Sequence, residues 1–508
     1  MLVALVGVVG VVGMLAACAP ATGAGAVPTS TSTYVSAPCP NPIYPNVPQL
    51  DLGAGVECGY LTVPENRARP DGRRIRLAVA RAKATSATPR ADPLLYLAGG
   101  PGGSGLLSAA PRIGAGWNRD RDVIFLDQRG TWKSDPLLSC PEIDAFLADW
   151  TGLSSFDPAT ADRSAAATRA CRDRLAATGT DLGMYSTTEN AADVADLRVA
   201  LGIEQWNLYG VSYGTDLALQ TLRDHPEGIR SVVLDSVVPP QANTMLSFWP
   251  SAASGLTAMF DACAAQPACR DAHPTLRDDF FRLARDLTTT PRTVTVDNPA
   301  TGTAAPVVVD GYKLVNFAIT ASLVPGTIAT VPAAVENLAR GDGSVLAAAL
   351  LAGAPPSGVT GYGLALGVFC SEAAATIDRA DIVAAGRPVL PDLPDAVLGL
   401  LPQAPYLLGD CRSWDVPAAP EAVATPATGD TPVLILDGGL DAITAPRNGE
   451  LVARSLPKAT RLLFPDSAHD VLLWSTPCAL PVMQSFLDGL SAPDTQCLNT
   501  VAPAAFAL

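Results

Sequence analysis

The sequence predicts an α/β fold, with a mostly parallel sheet, helices on both faces and an inserted, mainly helical lid. Two observations lead to this fold class. Short apolar runs of the fully buried type alternate with helix-like segments along much of the chain. The alternation stops between about residues 245 and 405, which are rich in Ala and Leu with Pro-rich interruptions. A lid inserted between two halves of one core explains both observations.

The predicted elements lie on either side of this interruption. We expect one helix at residues 187–202, because Thr188 can cap it, acidic residues come early and Gly202 can end it. A second helical segment is expected at residues 451–456. The predicted strands cover residues 73–80, 94–98, 123–127, 206–209, 232–235, 433–437 and 461–464.

These elements divide the chain into five expected segments. Residues 1–18 form an export segment, and the Ala-, Thr-, Ser- and Pro-rich residues 19–50 form a flexible linker. The first half of the α/β core covers residues 51–244, the lid covers 245–405, and the second half of the core covers 406–508.

The N-terminal residues indicate export. Residues 1–17 are uncharged and apolar, as in the apolar region of a secretion signal, although no Lys or Arg precedes them. The following Leu-Ala-Ala-Cys sequence resembles a bacterial lipobox, so we expect an extracytoplasmic protein that is secreted or anchored to the membrane through lipidated Cys18.

The charge balance excludes nucleic acid as a partner. The chain carries 49 acidic and 34 basic residues and has a net charge of −15, so no basic surface is available to neutralise phosphates. The simplest interpretation is that the acidic surface keeps an exported protein soluble.

The cysteines favour disulfide bonds over a metal site. Without Cys18 the sequence has ten cysteines, an even number, and it has only three histidines and no close Cys-x-x-Cys pair. No metal or other cofactor is therefore expected. Pairing of sequence neighbours gives the simplest set of disulfides, which is Cys39–Cys58, Cys140–Cys171, Cys263–Cys269, Cys370–Cys411 and Cys478–Cys497.

A Gly-Val-Ser-Tyr-Gly pentapeptide at residues 210–214 follows a strand-like run. In a nucleophile elbow of this pattern, a sharp strand-to-helix turn exposes the serine, and glycines on either side avoid a clash. The pentapeptide alone also fits an ordinary glycine-rich turn. It gains weight because a candidate acid and a candidate base follow Ser212 in the order Ser, Asp, His.

Histidine suits proton transfer near neutral pH, and His469 lies just beyond the last predicted strand. We expect His225 to end the helix that follows the elbow and His273 to lie on the lid surface. The orienting acid is Asp441 or Asp437. Asp441 is favoured because it lies in the loop after its strand, from which it can reach an imidazole.

An acyl-transfer enzyme also needs hydrogen-bond donors for the oxyanion that develops during the reaction. The glycine-rich residues 98–105 follow a predicted strand and expose backbone N–H groups. We expect the amides of Gly100 and Tyr213 to form an oxyanion hole. A phosphate-binding loop is the alternative, but its Lys-Ser/Thr ending is missing.

Four motifs together resemble the secreted tripeptidyl aminopeptidases, which belong with the prolyl iminopeptidases among the α/β-hydrolases. The motifs are residues 99–105, residues 127–130 (Asp-Gln-Arg-Gly), residues 210–215, and the Asp441 and His469 pair. The resemblance covers about residues 55–500. It implies a serine exopeptidase that acts on free peptide N-termini, a TAP-like C-terminal region, and a lid whose acidic groups receive the substrate ammonium.

Several positions depart from the family pattern. Asp216 stands where the family usually has an apolar or aromatic residue, and Trp132 stands where it often has glycine. His469 is followed by Asp470 rather than glycine, and Ala98 stands where the iminopeptidases have histidine. These departures leave the substrate preference open.

Two further charged residues receive expected roles. We expect Glu372 to bind the substrate ammonium, because an acid next to a cysteine that pins the lid would be held in place. A solvated surface glutamate is the alternative. Arg129 is expected to brace the core through hydrogen bonds.

The sequence therefore predicts a serine aminopeptidase that releases tripeptides or single residues from free peptide N-termini. In this prediction Ser212 attacks the carbonyl, His469 transfers the proton and Asp441 orients His469. An esterase or lipase with the same triad is one alternative, because the fold cannot distinguish the two. A catalytically inactive surface lipoprotein that binds a ligand is the other. The oligomeric state is not predicted.

Overall fold

The computed structural model describes residues 32–40, 52–298, 301–353 and 357–508. The predicted export segment with Cys18, and all of the predicted linker except residues 32–40, lie outside the described residues. Within the described ranges, no helix has both the length and the apolar character that a membrane crossing requires.

The strands of the described chain form one large sheet and one small hairpin. They are β1 Thr33–Ala37, β2 Val56–Pro64, β3 Arg74–Ala82, β4 Arg90–Leu97, β5 Arg121–Leu126, β6 Trp206–Val211, β7 Ile229–Asp235, β8 Arg292–Asp297, β9 Ala304–Val309, β10 Val433–Gly438 and β11 Ala459–Phe464. The large sheet has the order β1-β2-β3-β5-β4-β6-β7-β10-β11, and β8 pairs with β9. All neighbours from β5 to β11 in this order are parallel, as the sequence predicts.

The helices lie between and around these strands. They are α1 Ala109–Gly114, α2 Pro141–Trp150, α3 Pro158–Ala177, α4 Thr187–Ala200, α5 Tyr213–Asp224, α6 Thr244–Ala265, α7 Pro267–Ala272, α8 Leu276–Thr289, α9 Gly311–Thr320, α10 Val331–Ala339, α11 Ser344–Ala352, α12 Tyr362–Val368, α13 Arg379–Gly386, α14 Asp395–Leu398, α15 Leu407–Trp414, α16 Arg447–Ala453, α17 Val471–Trp474 and α18 Thr476–Gly489.

Helix α4 confirms the helix predicted at 187–202, but its cap differs. The side chain of Ser186, rather than Thr188, accepts a hydrogen bond from the Glu189 N–H, because Ser186 is the last residue with extended backbone before the helix. Gly202 follows the helix with a φ of 65°, a left-handed conformation that favours glycine.

The central parallel strands of the sheet are buried on both faces. All six residues of β6 are buried, and so are all six residues of β10. The register aligns Leu97 of β4 with Gly210 of β6, and Val211 of β6 with Asp235 of β7. The carboxyl ends of these strands therefore meet at one edge of the sheet, where α/β folds bind ligands.

The insertion between β7 and β10 is more extensive than the lid expected at 245–405. It carries helices α6 to α15, so its last helix, Leu407–Trp414, lies beyond the expected boundary. It also contains the β8–β9 hairpin, which the sequence did not reveal. Helix α15 is joined to the rest of the lid by the Cys370–Cys411 disulfide, and this covalent link places it with the lid.

Lid and core are in direct contact at the loop that follows β10. A Cβ atom added to Gly255 of α6 would lie 2.4 Å from the Cα of Ala442, so only glycine allows this approach. The lid therefore packs against the residue that follows Asp441.

All five predicted disulfides are present. The Cys39–Cys58 bond fixes residues that follow β1 to the sheet, so the described residues 32–40 of the expected linker are held by the core. Strand β1 itself pairs antiparallel with the free edge of β2, from Thr33 opposite Thr62 to Ala37 opposite Cys58. Five disulfides are typical of a protein that folds in an oxidising compartment.

Candidate active site

Ser212 lies at a sharp turn between β6 and α5. Its φ of 56° and ψ of −127° are unusual for a residue other than glycine, as expected of a nucleophile elbow. A Cβ atom at Gly210 would lie 2.1 Å from the Gly214 carbonyl oxygen, and one at Gly214 would lie 2.1 Å from the Leu97 oxygen. The turn therefore requires both glycines of the pentapeptide, as the sequence predicts.

His469 and Asp441 come together at the carboxyl edge of the sheet. The Nδ1 atom of His469 lies 3.1 Å from Oδ2 of Asp441, and both residues are buried. The other oxygen, Oδ1, accepts hydrogen bonds from the N–H groups of Ile443 and Thr444 at 2.7 and 2.8 Å. The hydroxyl of Thr444 donates to Asp441 Oδ2 at 2.8 Å and lies 3.1 Å from His469 Nδ1. Thr444, which sequence reasoning missed, thus helps to fix the pair.

The electrostatics of the pair match its geometry. Burial alone would lower the pKa of His469, but the charge and hydrogen bond of Asp441 outweigh it and raise that pKa. Burial alone would raise the pKa of Asp441, but His469 and the Thr444 donors lower it. The carboxylate therefore stays ionised and favours a proton on the imidazole, as general-base catalysis requires.

The alternative acid and the other two histidines each have partners outside the His469–Asp441 pair. Asp437 is the second-last residue of β10 and pairs with Arg461 of the neighbouring strand. The N–H of His225 donates to a carbonyl in the last turn of α5, so this histidine caps the helix as predicted. His273 is buried, not on the surface as expected, because Glu336 and the carbonyl of Ala507 enclose its ring.

The glycine-rich loop after β4 packs directly against the elbow. A Cβ atom at Gly99 would lie 2.7 Å from the Cβ of Ser212, and Gly100 has a φ of 121°. Neither the amide of Gly100 nor that of Tyr213 forms a hydrogen bond within the described residues. Two unpaired amides beside a serine hydroxyl are the donor type that an oxyanion hole uses.

The Asp-Gln-Arg-Gly motif anchors this loop, a role that the sequence did not reveal. Asp127 accepts hydrogen bonds from the Ser104 hydroxyl at 2.6 Å and from the Leu106 N–H at 3.0 Å. Gln128 donates to the Ala98 carbonyl at 2.9 Å. The motif therefore holds both ends of the glycine-rich loop.

Arg129, the third residue of the motif, braces the core as predicted. Its guanidinium is fully buried and donates to both carboxylate oxygens of Asp193, at 2.8 and 2.9 Å. It also donates to the carbonyls of Glu65 and Met184 at 2.9 and 2.6 Å. Glu189 Oε2 also lies 3.4 Å from Nη2, so the guanidinium is engaged by carboxylates and carbonyls inside the core.

Ser212 and His469 line one cavity of about 740 Å³. No hydrogen bond joins their side chains in the described chain. Such contacts are often long in unliganded enzymes and tighten when substrate binds. The predicted site residues Gly100, Tyr213 and Glu372 line the same cavity, as does Asp216.

Asp216 and Glu372 place two carboxyl groups in this cavity. Asp216 lies on α5, is 7% exposed and accepts a hydrogen bond from Gln220 at 3.2 Å. Glu372, on the lid, accepts from the N–H and the hydroxyl of Thr187, both at 2.8 Å. Burial raises the pKa of both groups, and the charge of Asp216 raises that of Glu372 further. Two buried acids that repel each other favour a cation between them.

Comparisons with known proteins agree with this architecture. The family model described as alpha/beta hydrolase fold matches residues 92–308, and the model described as TAP-like protein matches residues 403–497. The two matches cover the first half of the core with part of the lid, and the C-terminal part of the chain.

Individual relatives are peptidases. The tripeptidyl aminopeptidase of Streptomyces coelicolor is 36% identical over 202 residues, which are 37% of this chain and 36% of that protein. The match therefore spans only about a third of that relative. The serine protease Hip1 of Mycobacterium tuberculosis is 25% identical over 471 residues, or 88% of each chain.

A crystal structure of proline iminopeptidase from Mycobacterium smegmatis aligns with 85% of this chain and 98% of its own length. The identity is 17% and the TM-score is 0.35. The family models, together with the parallel sheet and the elbow, show that this chain has the α/β-hydrolase fold, and its sequence is similar to those of tripeptidyl aminopeptidases and a proline iminopeptidase.

Proposed function

We propose that the protein is a serine peptidase in which Ser212, His469 and Asp441 form the catalytic triad. The observation that carries the proposal is that Ser212 and an Asp441-bound His469 line one cavity at the carboxyl edge of the sheet. His469 takes the proton of Ser212 as the hydroxyl attacks the scissile carbonyl, and it then protonates the leaving amine. The Gly100 and Tyr213 amides stabilise the oxyanion.

The preferred substrates in this proposal are peptides with a free N-terminus. Asp216 follows Ser212 by one helical turn, so its carboxyl group lies a short distance from the nucleophile. Together with Glu372 it gives the cavity an anionic end that suits an ammonium group. By analogy with the relatives, the released fragment is a tripeptide or a single residue.

A carboxylic-ester hydrolase is the second candidate, because the same triad hydrolyses esters and much of the cavity wall is apolar. An inactive binding lipoprotein is less well supported, because Asp441 and His469 retain their hydrogen bond.

We also propose that the protein is exported and anchored through lipidated Cys18. Membrane release of a Cys18→Ala variant, measured by cell fractionation, tests the anchor, and unchanged membrane attachment would contradict it.

The deciding experiment compares three substrates with wild type and Ser212→Ala. The substrates are a free-amine tripeptidyl anilide, its N-acetylated form and a short acyl ester. We expect Ser212-dependent cleavage of the free-amine peptide alone. Ser212-dependent cleavage of the ester alone would make the protein an esterase. Normal turnover by a folded Ser212→Ala variant would refute the triad.

The amine site has its own test. An ammonium–carboxylate hydrogen bond contributes about 1.5–3 kcal/mol, so Glu372→Gln and Asp216→Asn should each lower kcat/KM for the free-amine peptide roughly ten- to a hundredfold. Glu204 is exposed and distant from the cavity, so Glu204→Gln serves as the control. Equal effects on free-amine and N-acetylated peptides would contradict an ammonium site.

A further inference from the structure

The residue that follows His469 forms a largely buried ion pair. Nη2 of Arg112 lies 2.8 Å from Oδ2 of Asp470, and the two side chains are only 11% and 15% exposed. The guanidinium also lies over the rings of Tyr96 and Trp117, 4.5 and 5.2 Å from their centroids. The aromatic rings and the carboxylate together fix Arg112 in one orientation.

Asp470 is also held through its backbone and its second oxygen. Its φ of 68° lies in the left-handed region, and its N–H donates to the Ser236 hydroxyl at 2.9 Å. Its Oδ1 accepts from the Leu473 N–H at 3.1 Å, which caps helix α17. A strained backbone with this many contacts persists because the surrounding residues determine it.

A second buried acid fixes the same helix. The Oδ1 and Oδ2 atoms of Asp235, at the end of β7, accept hydrogen bonds from the N–H groups of Val471 and Leu472 at 2.7 and 3.0 Å. The Tyr209 hydroxyl donates to Asp235 at 2.8 Å, and Tyr209 lies three residues before Ser212. The segment after His469 is therefore tied to the strand that carries the nucleophile.

Arg112 connects this segment to the opposite side of the site. It belongs to α1, which follows the glycine-rich loop, and that loop carries the Gly100 amide. The ion pair thus links the oxyanion side of the cavity to the histidine side, across 358 residues of sequence.

We propose that the Arg112–Asp470 ion pair positions His469 for catalysis by tying the segment after the glycine-rich loop to the residue after the histidine. This inference rests on the proposed function, because it assigns a role within that triad. Both residues are positioning residues, since they act on the reaction through His469.

The charges around His469 make the proposal testable. Burial alone would lower the pKa of His469, whereas Asp441, then Asp470 and Asp235, raise it. Arg112 is the positive group on the facing element, and Tyr96 and Tyr209 are the other titratable side chains there. Loss of the Asp470 charge should therefore lower the pKa of His469, whereas loss of the Arg112 charge should raise it.

The experiment measures the rate at which a fluorophosphonate labels Ser212, as a function of pH. This probe reports activation of the serine and does not depend on the peptide substrate. In Asp470→Asn, asparagine keeps the left-handed backbone and the helix cap but removes the charge. We therefore expect the acidic limb of the labelling rate against pH to shift down by about half a pH unit. In Arg112→Gln we expect a shift of similar size in the opposite direction.

Positioning also predicts a slower reaction. At the optimal pH, both variants should label about tenfold more slowly than wild type, because a small misplacement of a catalytic group is costly. Arg112→Lys keeps the charge, so the acidic limb of its labelling rate should lie at the wild-type pH. Arg121 is buried and paired with Asp488 far from the cavity, so Arg121→Gln shows the effect of losing a buried ion pair elsewhere.

The possible outcomes separate this inference from the proposed function. Opposite shifts of the acidic limb of the labelling rate in the two variants, with both variants still folded at the assay temperature, support the positioning role. Wild-type rates and pH limbs in both variants, or equal slowing in Arg121→Gln, overturn it. Failure of wild type to label at Ser212 overturns the proposed function itself.

Discussion

The Asp441→Asn substitution tests the proposed triad most sharply. Asp441 Oδ1 accepts two backbone N–H groups, so the carbonyl oxygen of an asparagine must take that position. The amide NH2 then replaces Oδ2 and faces the Nδ1 atom of His469. Because an NH2 group can only donate, Nδ1 must become the acceptor and the imidazole proton must move to Nε2.

A proton on Nε2 prevents His469 from accepting the proton of Ser212. Loss of the correct tautomer in a serine protease triad lowers kcat about 10⁴-fold, or roughly 5 kcal/mol in the activation free energy. We expect a loss of that size for Asp441→Asn, measured as kcat with the free-amine tripeptidyl anilide. Asp441 also raises the pKa of His469, so the acidic limb of the residual activity should move to lower pH.

Asp437→Asn is the matched control, because Asp437 lies four residues earlier and pairs with Arg461 instead of His469. Its activity should stay within about threefold of wild type, since the Asp437 carboxylate pairs with Arg461 and does not hold the imidazole of His469. Thermal denaturation of both variants checks that each is folded. Activity of folded Asp441→Asn within tenfold of wild type would refute the reasoning. A large loss of activity in Asp437→Asn alone would make Asp437, and not Asp441, the acid of the triad.

Two further predictions concern the elbow and the lid. Gly214→Ala places a methyl group 2.1 Å from a backbone oxygen at the end of β4, so we expect a loss of about 3 kcal/mol or more in urea denaturation. Gly114 has no atom within 4 Å of an added Cβ, and Gly114→Ala should leave stability within about 1 kcal/mol, so equal losses would contradict the steric argument. The disulfide between Cys370 and Cys411 closes a loop of 41 residues, and its removal by a double substitution to serine should cost about 4 kcal/mol. The same variant should raise KM for the free-amine peptide, because the disulfide no longer holds the segment that carries Glu372. An unchanged KM would show that the position of Glu372 does not depend on the disulfide.

Local patterns in the sequence predict the parallel core and the site residues. Buried strands are continuous apolar runs, and a serine between two glycines after such a strand indicates the turn at 210–214. Asp441 and His469 each follow a strand, so the parallel topology brings both to one edge of the sheet. The parallel sheet, which the structure confirms, and the contact between Asp441 and His469 both follow from the order of elements along the chain.

The predictions that fail depend on distant partners. His273 is buried because it contacts Ala507, which lies 234 residues away. Strand β1 lies in a Pro-, Ser- and Thr-rich segment without clear periodicity, and it forms because the edge of β2 accepts it. The anchoring role of Asp127 depends on the contact with Ser104, which no spacing in the sequence indicates.

The lid contributes to the proposed chemistry as well as covering the cavity. The N–H of His469 donates to the carbonyl of Ser322, a lid residue, at 3.1 Å. Gly255 of the lid packs against the residue after Asp441, and Glu372 of the lid supplies one of the two acids. A displacement of the lid would therefore move the histidine, its acid and the amine site together. For this reason we expect substitutions at lid–core contacts to alter kcat as well as KM, whereas a lid that only selected substrates would alter KM alone.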